Sequence, residues 1–158
     1  LIFFPQQPTL PFFAWLTKQL PMLEVLSFFH MEDEEIDPIL DALNNTPSDN
    51  LSFRDTLQCL TIADCKLNEN HFETIWTDIL PKLPKVSSLS LSLNNIQSVR
   101  FFVDRMQISD MASCLPSNKA VRSLLLHPNP VLDNIKKDPD EKAALLSFLH
   151  RFHTIWDI

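Results

Sequence analysis

The chain is predicted to be α/β, a right-handed solenoid with short parallel strands on a concave face and helices on a convex one. Two observations predict it. One apolar spacing recurs in LQCLTIADCKL (57–67), VSSLSLSLNNI (86–96) and VRSLLLHPNPV (121–131), and a repeated period marks a repeated supersecondary unit. Between these segments the apolar residues change from alternation to steps of three and four, as when a strand gives way to an amphipathic helix. The 158 residues, 45% of them apolar, suit a single domain 1–158 with a core.

The elements follow in order. PFFAWLTKQL (11–20) reads as the helix of a preceding unit, with Pro11 in the first turn, where a missing N–H is harmless. LEVLSFFHM supplies a strand near 23–29 through Leu23, Leu26 and Phe28, but Met31 and Asp33 break the spacing, so a locally irregular turn is expected there. The acidic run Glu32, Asp33, Glu34 and Glu35 precedes a helix marked by Ile36, Ile39, Leu40 and Leu43, where the helix dipole favours negative charge. The spacer NNTPSDNLSFRD then leads to Leu57, Leu60 and Ile62, a strand near 57–63, and to a helix on Phe72, Ile75, Trp76 and Ile79. Val86, Leu89 and Leu91 mark a strand near 86–92. Val99, Phe102, Val103 and Met106 mark the next helix, and Ser109 can cap a shorter one from Asp110 to Leu115. Val121, Leu124 and Leu126 give a strand near 121–127, and Pro139 opens a helix carrying Leu145, Phe148, Leu149 and Phe152. Because Phe152, Ile155 and Ile158 echo Leu83, Val86 and Leu89, a truncated strand is expected near 155–158. The starts at 23, 57, 86 and 121 stand 34, 29 and 35 residues apart, so the repeat is irregular in length.

Cys65, Asn94 and Asn129 follow the strands at one motif position, where a buried turn needs partners for its backbone N–H and C=O groups. Over nearly its whole length the chain resembles the ribonuclease-inhibitor type of leucine-rich repeat, through the spacing L-x-x-L-x-L-x-x-[NC]-x-L in its three full motifs. The resemblance implies that Asn94 and Asn129 belong to a structural ladder through successive turns, with Cys65 the usual substitute. It also implies that a protein partner binds the concave face. By alternation that face presents Val25, Ser27, Phe29, Cys59, Thr61, Ala63, Ser88, Ser90, Ser92, Ser123, Leu125 and His127. Four strands span only about 15 Å, so the chain is expected to be a piece of a longer solenoid. The function expected is non-catalytic protein binding. One alternative is the regulatory or substrate-recognition part of a larger enzyme or receptor, such as a ubiquitin-ligase adaptor. A second is a GTPase-activating repeat protein, although no residue here matches that family's catalytic loop.

Composition narrows the classes further. The net charge of −7 disfavours nucleic acid and anionic membrane as partners. The absence of glycine removes phosphate-binding loops and nucleophile elbows, which need backbone only glycine tolerates. Pro5, Pro8 and Pro11 interrupt the apolar start, so it does not read as a membrane span, and no basic segment before it marks a signal peptide. Cys59, Cys65 and Cys114 are an odd set, which fits a reducing, cytoplasmic setting. No cofactor or metal is expected: of His30, His71, His127, His150 and His153 only the last two are closely spaced, at a helix end. Cys59 with His30 or His127 would lack a carboxylate to orient the imidazole, so no catalytic residue is assigned. Trp15, Trp76 and Trp156 are expected in the core.

Overall fold

Alternating apolar residues draw the strand segments into one sheet. In the computed structural model, which describes residues 1–3, 18–100, 121–152 and 155–157, six strands run parallel in sequence order. They are β1 (Ile2–Phe3), β2 (Val25–Phe29), β3 (Cys59–Ala63), β4 (Ser88–Ser90), β5 (Ser123–Leu125) and β6 (Ile155–Asp157). Helices α1 (Asp33–Asn45), α2 (Glu69–Thr74), α3 (Pro130–Asn134) and α4 (Pro139–Phe152) lie in the connections. The architecture is therefore mixed α/β around a parallel sheet. The expected helices on Pro11, Val99 and Ser109 fall wholly or largely outside the described residues, as do Trp15 and Cys114.

The strands are shorter than the motif suggests. Leu57, Val86 and Val121, its first apolar positions, are buried, yet they sit in the turn before each strand. There the carbonyls of Glu24, Gln58 and Ser87 each accept two successive N–H groups from the next unit, from Gln58 and Cys59, Ser87 and Ser88, and Arg122 and Ser123. β1 is an additional strand that pattern reading does not supply, and two residues are too few to show a period. β6 lies two residues from its expected register. Ile155 is level with Ser123 and Trp156 with Leu124, so Ile155 does not continue the row of Val86 and Val121.

One apolar core joins the inward strand residues Leu26, Phe28, Leu60, Ile62, Leu89 and Leu124, and Leu91 just past β4, to the helices. The expected faces Ile36, Ile39, Leu40, Leu43 and Phe72, Ile75, Trp76, Ile79 are all buried in it. Phe72 stacks on Trp76, with ring centroids 5.8 Å apart. Helix α1 starts with Glu35 reaching back to the Glu32 N–H at 3.2 Å, so the acidic run forms the helix's first turn. Asn68 caps α2, accepting from the N–H groups of Asn70 and His71. That helix continues through a π turn at Ile75–Ile79 and a 3₁₀ turn at Leu80–Lys82. The long spacer is absorbed by Leu51 and Phe53, which turn into the same core.

The turns after the strands are tied by side chains. Asn94 Oδ1 accepts from the Cys65 and Leu67 N–H groups at 2.9 and 3.2 Å, while Nδ2 donates to Ile62 O and Leu91 O at 2.7 and 3.0 Å. Asn129 repeats the arrangement one unit on, accepting from Ile96 N at 3.2 Å and donating to Leu91 O and Leu126 O at 2.7 and 2.5 Å. Cys65 stands in line with them, its Sγ 3.2 Å from Ala63 O and 3.8 Å from Phe28 O. Burial pushes this thiol up from 9.0 to about 11, against a lowering hydrogen bond from the Met31 backbone. The irregular turn expected at Met31 is not found there. Met31 is buried, and the preceding His30 takes φ 57°, matching Asp64 at 55° and Leu93 at 56° in the next two turns. The extra left-handed residue is Lys66 at φ 53°.

Candidate functional site

On the sheet face away from the helices, the register aligns the outward residues in rows. Val25, Cys59, Ser88 and Ser123 are level, as are Ser27, Thr61, Ser90 and Leu125, and Phe29 with Ala63. Ser92 and His127 lie just past the ends of β4 and β5. The ten expected residues that lie within the strands therefore belong to one side of the sheet, but not all are accessible. Ser27, 5% exposed, sits between β1 and β3, and Ala63, 3% exposed, has a side chain too short to rise between its neighbours. These two are struck from the candidate contact surface. Phe29 and Leu125 are half-buried, whereas Val25, 45% exposed, is the open apolar group of the face. Ile2, level with Ser27 on β1 and exposed, joins it.

The remaining rows carry hydroxyls, thiol and apolar groups. Ser90 Oγ is 3.2 Å from Ser92 Oγ, and Cys59 Sγ is 4.0 Å from Thr61 Oγ1. None of the twelve is a carboxylate, lysine or arginine, so the face can offer hydrogen bonds and apolar contact but no fixed charge. Cys59 and the imidazoles stand apart: His30 is level with Asp64, five residues beyond Cys59 along β3, about 16 Å at ~3.3 Å per residue, and His127 lies two strands away, past the end of β5. His30 nevertheless has the carboxylate that sequence reading missed, since Nδ1 hydrogen-bonds Asp64 Oδ2 from the next turn. Only the register brings these residues together, for they are 34 apart in sequence.

Charges gather at the rims instead. Beyond the C-terminal strand ends, His30–Asp64 and Lys66–Glu32 link the first two turns, and His71 Nε2 lies 3.0 Å from Asp37 Oδ1 between the helices behind them. His71 Nδ1 accepts from the Asn68 N–H, which leaves Nε2 to face the aspartate. At the N-terminal strand ends a groove of about 330 Å³ is lined by Glu24, Asp55, Thr56, Gln58, Lys85 and Ser87. A second groove, of about 360 Å³, lies near the helices by Gln97, Ser98, Asn134, Lys137, Asp138 and Glu141. Among the described residues there is no group of three histidines, cysteines or acids placed to hold a metal ion. No helix among them is long and apolar enough to cross a membrane. His150 and His153 lie where side chains are not described. No family model, curated protein or solved structure matches the chain.

Proposed function

We propose that the chain is a leucine-rich repeat solenoid of the ribonuclease-inhibitor-like kind, acting as a non-catalytic protein-interaction segment through the open face of its sheet. The observation that supports this most is the recurrence of one turn from unit to unit. Cys65, Asn94 and Asn129 contact equivalent carbonyls, those of Phe28 in β2, Ile62 in β3 and Leu91 just past β4, each in the preceding unit. A turn stitched in this way fixes strand spacing and register, so the outward rows form a rigid platform. Rigid surfaces avoid the ordering cost of association. With Val25 and Leu125 at its flanks and Ser88 and Ser90 between, the platform suits an uncharged, apolar-anchored protein surface.

The test is capture of partners by the wild type and by a Val25→Asp, Leu125→Asp variant, with Leu146→Asp on exposed α4 surface as control. Partners are expected to be lost from the first variant and kept by the control. Identical partner sets from wild type and the double variant would overturn the assignment.

A further inference from the structure

The rim at the N-terminal ends of the strands carries an ordered charge pattern outside the proposed platform. Glu24, Gln58, Ser87 and Arg122 each precede one of the level residues Val25, Cys59, Ser88 and Ser123, so they form a row across β2 to β5. The row is acidic at one end and basic at the other. Asp55, in the turn before β3, extends the acidic half, and Lys85, before β4, extends the basic half. All four charged side chains are exposed. Among the described residues Glu24, Lys85 and Arg122 make no ion pair, and Asp55 lies 4.0 Å from Arg54 Nε. Glu24, Asp55 and Lys85 line one groove of about 330 Å³ without an ion pair between them. The paired N–H bonds into the Glu24, Gln58 and Ser87 carbonyls tie the row together from strand to strand.

Read along the rim the order is minus, minus, plus, plus, over about 14 Å for three strand spacings of ~4.8 Å. Such an order is its own complement when turned end for end. We propose that this rim pairs with the same rim of a second copy of the chain about a two-fold axis between β3 and β4. Glu24 then meets the partner's Arg122 and Asp55 meets the partner's Lys85, and each contact occurs twice, as an isologous interface requires. A second copy fits better than an acidic or a basic partner, since either of those would be repelled by half of the row. The sheet face stays open in this dimer, so the pairing is independent of the proposed platform.

The experiment is sedimentation equilibrium of the 158-residue chain in about 20 mM and about 500 mM salt, which screens exposed charges. A dimer is expected at low salt, with its dissociation constant rising at least about tenfold at high salt. A Glu24→Arg, Asp55→Lys variant and a Lys85→Glu, Arg122→Glu variant are each expected to be monomeric. Mixed in equal amounts they are expected to form a heterodimer, since every facing pair is again attractive. A monomeric wild type at low salt would overturn the proposal, as would no association between the two variants when both keep the wild-type circular dichroism. Should either misfold, Lys85→Ala with Arg122→Ala decides: loss of the salt-sensitive dimer supports the rim contact, and its persistence overturns it.

Discussion

Asn94 serves two buried N–H groups with one oxygen and at least two carbonyls with its amide hydrogens, so its truncation orphans groups that water cannot reach. Asn94→Ala is expected to lower stability by about 1–3 kcal/mol, and an unchanged urea midpoint would refute this. Leu93, one residue earlier, is 53% exposed and holds φ 56°. A left-handed backbone costs an ordinary side chain about 1–2 kcal/mol, which asparagine largely avoids by bonding locally. Leu93→Asn is therefore expected to raise the urea midpoint, by about 1 kcal/mol of stability. At Cys65 the fold favours the neutral thiol, so its contribution is present below the ordinary 9.0 and is lost as pH rises through about 11. Cys65→Ser has no such titration. The gap between the two proteins' urea midpoints should shrink on going from neutral pH to about pH 10.5, and a constant gap would show that the buried thiol is not the group responsible.

At the scale of elements, the helices needed only their spacing to be found, because Ile36, Ile39, Leu40 and Leu43 must share a face whatever they pack against. What fixes the chain after the β4 turn was not legible in this way. Glu141 of α4, 5% exposed, accepts from Val99 N and Ser98 Oγ, both at 2.8 Å, from 42 and 43 residues away. Glu69 Oε1 accepts from Gln97 N and Ser98 N at 2.7 and 3.2 Å, so two carboxylates from flanking units hold consecutive backbone groups. Neither residue belongs to the repeated apolar spacing, so the sequence pattern does not mark them. Glu141→Gln keeps the shape but leaves one acceptor oxygen for two donors, and a loss of about 1–3 kcal/mol is expected. Amide exchange at Val99 would report it, and wild-type exchange there would count against the latch.

Across the whole molecule, the apolar cluster runs without a break from Leu26 through Leu60 and Leu89 to Leu124. Units sharing a core in series are stabilised through their neighbours. Leu89→Ala is expected to cost about 2–5 kcal/mol and to speed amide exchange at Leu60 and Ile62 in β3 as well as within β4. Exchange confined to β4 would mean that the units unfold separately. The side-chain pairs at the strand ends between β2 and β3, His30–Asp64 and Lys66–Glu32, add less, because exposed pairs contribute about 1 kcal/mol or below.

By itself the sequence determined that strands alternate with helices, which residues point inward, and that residues 65, 94 and 129 would occupy equivalent turns. These are consequences of local period and of the need to satisfy backbone groups, and both can be read from spacing. Only the tertiary structure decided how the units align. It shortened the strands, moved β6 by two residues, buried Ser27 and Ala63, and set Asp64 beside His30. The reason is that accessibility and pairing depend on what the adjacent strand places alongside, about 30 residues away in sequence, and one unit's pattern carries no record of its neighbour's side chains.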